Sequence, residues 1–199
     1  MKDEEVNING FECRMIANNG EGPCVVLLHG YMYTSDVWNY IGLLRLLENK
    51  NIPFKAVDMP YGNINECFPR SADPAKNIGI LAKICQPDAV IIGASLGGYM
   101  ALKYCTQHPA GGIMVVAPVM ALQKELVLRY PQVSARVSII CGREDNVVRG
   151  EEIRRLGGQF GTGVNIYDNA GHAAYLDQPE RFKDDVIRFY ESIVSSGNI

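Results

Sequence analysis

The sequence predicts an α/β architecture, a mostly parallel sheet flanked by helices on both faces. Three observations carry this: short apolar runs rich in β-branched residues, stretches of helical periodicity between them, and Gly, Pro or Asp at the boundaries. The runs are Val25 to Leu28, Phe54 to Val57, Ala89 to Ile92, Ile113 to Ala117, Val137 to Cys141 and Val164 to Tyr167. Alternation of such strands with helices implies parallel strands covered by helices on both faces. Helical periodicity fills the intervals Val37 to Glu48, Ala75 to Ile84, Gly98 to Gln107, Met120 to Tyr130, Glu151 to Phe160 and Pro179 to Val194. Ahead of them, Val6 to Ala17 alternates about Asn9-Gly10, a dipeptide that favours the two-residue hairpin turn, and is expected as an antiparallel hairpin at one sheet edge.

Of 199 residues, 47% are hydrophobic and 21% charged, and no repeat, low-complexity segment or linker divides the chain. One domain over residues 1–199 is expected. Nineteen Lys and Arg against 22 Asp and Glu leave a net charge of −3, spread along the chain, so neither a nucleic-acid partner nor a polybasic membrane anchor is expected. The N-terminus is acidic and polar, no apolar run approaches the roughly 18 residues of a membrane span, and a cytoplasmic protein is the expectation. The six cysteines, Cys13, Cys24, Cys67, Cys85, Cys105 and Cys141, form no C-x-x-C pair and read as small buried hydrophobes. With three dispersed histidines, His29, His108 and His172, no metal site or cofactor is expected.

In open α/β sheets the ligand lies beyond the carboxyl ends of the strands. After Ala89 to Ile92 stands Gly93-Ala94-Ser95-Leu96-Gly97-Gly98, a G-x-S-x-G between strand and helix. There a tight turn lifts the serine hydroxyl above the sheet and the glycines remove Cβ collisions. The helix that follows aims its free amides and positive dipole end at the same spot. A serine needs a base, and the base needs a carboxylate to fix its tautomer. Asp145 follows the strand Val137 to Cys141 and His172 follows Val164 to Tyr167, so the chain order is Ser95, Asp145, His172. Glu144 and Asp168 are rival carboxylates; Asp145 is favoured as the residue before the Asn146-Val147 segment.

Attack on a carbonyl creates an oxyanion that needs two preorganised donors. The amide of Leu96, directly after Ser95, is one candidate, and the amide of Tyr31, in the loop after the first long strand, is the other. His29 reads as structural, holding that loop, and His108, ahead of Pro109, as an exposed cap at a helix end.

On these residues the chain resembles the α/β-hydrolase superfamily from about Val25 to Tyr190. The motifs are Val25-Val26-Leu27-Leu28-His29-Gly30, Gly93 to Gly98, Cys141-Gly142-Arg143-Glu144-Asp145 and Ala170-Gly171-His172. Through the stretches Leu28 to Trp38, Val116 to Val119 and Gly171 to Glu180 it is similar to the small lidless members of the abhydrolase domain-containing 14 type. The resemblance implies an α/β-hydrolase fold with Ser95 as nucleophile, Asp145 as acid and His172 as base. The sequence departs from it after Asp145, where Asn146-Val147-Val148 lacks a proline many members carry.

Larger members insert a helical lid where this chain has only the interval from Ala117 to Val137, which has room for little beyond one helix. An unroofed nucleophile suits reactive acyl substrates such as esters or thioesters better than stable amides. Met32, Tyr33, Met120, Val147 and Ala173, with Tyr31 and Leu96, are the candidates to line a site for a small-molecule acyl group of modest size. The expected activity is serine esterase chemistry, rising with pH as the base histidine loses its proton. Thioesterase or protein deacylase activity, or a slow-turnover receptor or interaction module on the same scaffold, stands as the alternative. Arg143 reads as the partner of a nearby carboxylate. The sequence leaves the oligomeric state open.

Overall fold

The computed structural model describes residues 1–64 and 66–196. Its strands are β1 (Lys2–Ile8), β2 (Phe11–Ala17), β3 (Val25–Leu28), β4 (Phe54–Val57), β5 (Cys67–Phe68), β6 (Val90–Ala94), β7 (Gly112–Val116), β8 (Arg136–Gly142) and β9 (Val164–Tyr167). They lie in one sheet in the order β1-β2-β4-β3-β6-β7-β8-β9, with β5 paired to β2. From β4 to β9 neighbours are parallel, while β1, β2 and β5 form an antiparallel margin. The hairpin joining β1 to β2 turns at Asn9 (φ 54°) and Gly10 (φ 83°), the positive-φ pair that matches strand twist.

The helices are α1 (Asp36–Tyr40), α2 (Leu43–Asn49), α3 (Pro74–Ile84), α4 (Leu96–Cys105), α5 (Lys124–Val127), α6 (Gly150–Phe160), α7 (Ala174–Asp177) and α8 (Pro179–Ser196). Side chains alternate along each strand, so the sheet has a core on either face. Val26, Leu28 and Ile91 pack with residues of α3, α4 and α6, whereas Val25, Leu27, Val90 and Ile92 pack with residues of α1, α2 and α8. Parallel register keeps the carboxyl ends level: Leu28 lies opposite Gly93, Ala94 opposite Val116, and Gly142 opposite Tyr167. The loops that follow β3, β6, β8 and β9 therefore leave from one end of the sheet.

Three sequence expectations need correction. The interval Val37 to Glu48 is two helices, α1 and α2, because Gly42 sits at φ 75° between them. Met120 to Tyr130 holds only α5, followed by a 3-10 turn over Tyr130–Gln132; Met120 is itself at φ 53°, outside any right-handed helix. Cys13 and Cys67 are joined by a disulfide across the β2–β5 register pair, so the six cysteines are not all unpaired. Fifty-four residues separate the two, which is why no local motif announces them.

The margins of the sheet are polar. On β1 the residues from Lys2 to Glu5 are exposed. At the other margin Arg181 of α8 donates to the Ile166 carbonyl at 3.0 Å and lies over the Tyr167 ring at 4.0 Å. Arg14 of β2 binds Asp3 of β1 (2.9 and 2.7 Å) and Asp36 at the start of α1 (2.7 and 2.8 Å), fastening the hairpin to the helix layer.

Candidate active site

Ser95 sits between β6 and α4 at φ 51°, ψ −114°, a conformation costly for a residue with a Cβ, on the order of 1–3 kcal/mol. Its surroundings hold it there. Its amide donates to the Val116 carbonyl at 2.8 Å, and its own carbonyl accepts from Tyr99 at 3.1 Å and Val119 at 3.4 Å. The two glycines of the motif are demanded by close approach: a Cβ on Gly97 would collide with the Leu28 and His29 carbonyls, and one on Gly93 with the Gly97 carbonyl.

His172 Nε2 stands 2.9 Å from Ser95 Oγ, and its Nδ1 stands 3.1 and 3.0 Å from the two oxygens of Asp145. A carboxylate only accepts, so Nδ1 carries the proton and Nε2 is left free to accept the serine hydroxyl. Asp145 is held in turn by the amides of Val147 (2.8 Å) and Val148 (3.0 Å), with its side chain only 1% exposed. The His172 loop is fixed by Asp177, which accepts from the Gly171 amide at 2.8 Å, and by the Glu144 amide, which donates to the Ala170 carbonyl at 2.9 Å. The rival carboxylates lie elsewhere: the Glu144 side chain is exposed, and Asp168 pairs with Arg143.

The loop after β3 lies against the serine turn, since a Cβ built on Gly30 would be 3.6 Å from Ser95 Cβ. Among the described residues the amides of Tyr31 and Leu96 have no acceptor within the protein, as the first amide of a helix has none inside it. His29 is fully buried, with Nε2 accepting from the Met59 amide at 2.9 Å and Nδ1 donating to the Gly30 carbonyl at 2.8 Å. Burial holds its pKa below the ordinary histidine value, against the raising effect of the Gly30 carbonyl and Asp58. Tyr61 Oη donates to the His29 carbonyl at 2.7 Å, and Asp58 accepts from the amides of Ser35 (2.6 Å) and Glu66 (3.0 Å).

Asp58, Tyr61 and Asp177 escaped the sequence reading. Asp58 directly follows β4, so inspecting that strand end as closely as the others finds it; Tyr61 and Asp177 carry no local signal. Of the proposed lining residues, Tyr31, Met32, Tyr33, Met120 and Val147 are exposed and Ala173 is half-buried beside His172. The Tyr33 ring lies edge-on to Tyr175, and the Met32 sulfur accepts from Asn63 at 3.7 Å. His108 is not an exposed cap: it is half-buried and stacks on Tyr104, with ring centroids 4.7 Å apart. Burial pushes the Cys141 thiol up to about 11 and the Cys85 thiol up to about 12.

A model of the Alpha/beta hydrolase family matches residues 25–135. The chain belongs to this family. Among alpha/beta hydrolases it is 29% identical over 175 residues to Protein ABHD14A of Rattus norvegicus, covering 85% of this chain and 72% of that protein. It is 30% identical over 186 residues to the "Putative protein-lysine deacylase ABHD14B" of Homo sapiens, covering 85% and 83% of the two chains. A solved "predicted CIB-like hydrolase" from Thermoplasma acidophilum superposes with a TM-score of 0.83 at 22% identity, over 94% of this chain and 96% of that one. That likeness bears on the fold alone. Among the described residues no helix of this alpha/beta hydrolase is long and apolar enough to cross a membrane.

Proposed function

We propose that this chain is a serine hydrolase that cleaves small acyl esters through an acyl-serine intermediate. The observation that carries the reading is the continuous hydrogen-bonded chain from Ser95 through His172 to Asp145, set on a strained strand-to-helix turn. In the first step Ser95 Oγ attacks the ester carbonyl and its proton passes to His172 Nε2. The resulting oxyanion is held by the amides of Tyr31 and Leu96. The carbon–oxygen bond to the leaving alcohol then breaks, and His172 returns the proton to that oxygen. Water repeats the sequence on the acyl-serine, giving the acid and the free hydroxyl. Asp145 stabilises the transient imidazolium and takes no proton itself.

Only α5 and a 3-10 turn lie between β7 and β8, which supports treating residues 1–199 as one domain without a cap. A second reading, removal of acyl groups from lysine, is favoured by the likeness to a relative that bears the name protein-lysine deacylase. Labelling with a fluorophosphonate, mapping of the adduct, and turnover of short-chain nitrophenyl esters test the first reading against an acyl-lysine peptide. The expected result is an adduct on Ser95 and ester turnover that falls by at least about 10³-fold in Ser95→Ala. An adduct elsewhere, or turnover that survives the substitution, would sink it; peptide deacylation faster than ester turnover would select the second reading.

A further inference from the structure

The loop that presents the Tyr31 amide is backed by a buried phenol to which the proposed reaction gives no part. After β4 the chain turns from Met59 to Gly62, closed by the Gly62 amide on the Met59 carbonyl at 2.9 Å, with Pro60 second in the turn, where its fixed φ is suited. The turn directs Tyr61, only 4% exposed, into the core cluster that also holds Leu28. The Tyr61 ring lies against that of His29, with centroids 5.2 Å apart, and its hydroxyl donates to the His29 carbonyl at 2.7 Å. Burial pushes this phenol well above its ordinary pKa, and the charge of Asp58 acts in the same direction, so the donated proton stays in place.

The His29 carbonyl stands where the loop after β3 meets the serine turn. On one side it presses on α4, since a Cβ on Gly97, the residue after Leu96, would come within 2.6 Å of its oxygen. On the other, Gly30 alone separates His29 from Tyr31, and with no Cβ its torsions are the softest link between them. The peptide that follows Gly30 carries the Tyr31 N–H; its carbonyl accepts from His29 Nδ1 at 2.8 Å and from the Tyr33 amide at 3.1 Å. The peptide that precedes Gly30 is held through its carbonyl by Tyr61. A rotation at Gly30 that swings the Tyr31 amide must therefore strain one set of bonds or the other. We propose that Tyr61 is a positioning residue, whose hydroxyl fixes the peptide ahead of Gly30 and with it the spacing of the Tyr31 and Leu96 amides; this rests on the serine-hydrolase reading above. Donors to an oxyanion act on the transition state and little on the bound ester, so a misplaced one lowers kcat and spares KM.

The test uses the purified chain, nitrophenyl acetate, and a trifluoromethyl ketone, to whose carbonyl Ser95 Oγ adds to give a tetrahedral oxyanion while the serine proton passes to His172. Tyr61→Phe removes one oxygen and keeps the ring. Tyr61→Met is a second variant without the hydroxyl, whose flexible side chain refills the space. Rates are referred to the serine titrated to completion by a fluorophosphonate, so that unfolded molecules do not count. In each variant kcat is expected to fall about 5- to 30-fold, less than the loss on deleting an oxyanion donor outright, with KM within twofold of the wild type. The inhibition constant of the ketone is expected to rise by the same factor as kcat falls. A kcat within twofold of the wild type in Tyr61→Phe, a loss confined to KM, or an inhibition constant that does not follow kcat overturns the role of Tyr61 and leaves the serine-hydrolase reading intact. Absence of Ser95-dependent ester turnover in the wild type overturns both.

Discussion

His29 is a base kept out of proton chemistry, since each of its ring nitrogens is already engaged with the backbone. With its folded pKa depressed below 6.5, the unfolded chain binds the proton more readily. The stability His29 contributes is thus complete above that value and is lost as pH falls below it, until the folded value is reached. The unfolding free energy is expected to drop by up to about 1.4 kcal/mol per pH unit across that window. Urea unfolding at pH 7.5 and 5.5 should show this component in the wild type and not in His29→Gln; equal pH slopes in the two would refute it. Asp58 acts one step further from the reaction. Asparagine in its place offers one acceptor oxygen where two amides now donate, so Asp58→Asn should cost about 1.5–3 kcal/mol of stability. By loosening the loop that presents the Tyr31 amide, it should lower kcat more than it changes KM, because in the proposed reaction that amide acts on the transition state. A change confined to KM would contradict the assignment.

The turn between β6 and α4 and the helix α6 give opposite answers to the same substitution. Gly97→Ala drives a methyl into the carbonyls of Leu28 and His29, where backbone must move, and a loss above about 3 kcal/mol or failure to fold is expected. Gly158→Ala meets nothing within 4 Å inside α6, so it should raise stability by about 0.5–1 kcal/mol. Thermal unfolding of the pair decides both; a neutral Gly97→Ala would mean the close approach is not required. These elements were readable because a local pattern meets a local need: β-branched runs became β3, β4, β6, β7, β8 and β9, and G-x-S-x-G became the turn. The segment from Met120 to Tyr130 was misread because its apolar spacing is helical while Met120 stands at positive φ, directly after Val119, whose amide donates to the Ser95 carbonyl. Two-residue β5 and four-residue α7 are too short to leave a period.

At the scale of the molecule, the order Ser95, Asp145, His172 could be read from strand ends alone, because parallel register brings those ends level. The partnerships that depend on long sequence separation could not. Cys13 with Cys67 and Arg14 with Asp36 are set by where β2 lies in the sheet, paired to β4 and to the two-residue β5. Arg14 depresses the carboxyl pKa of Asp3 and of Asp36, so their contribution is present above 3.8 and lost as pH falls through the lowered values. Both carboxylates are largely exposed and salt weakens them. Arg14→Ala should therefore speed amide hydrogen exchange in β1 at low ionic strength, with the gap to the wild type narrowing in high salt; exchange unchanged at any salt would show that the hairpin needs no such tie.

A sheet's outermost strands are where one polypeptide can template onto another. Here the first strand presents Lys2 to Glu5 to solvent, and the last has an outward carbonyl already taken by Arg181. Charged side chains along the first strand and the arginine capping the last leave an incoming segment no flat apolar border to extend, so growth of the sheet into fibrils by strand addition is discouraged at both ends.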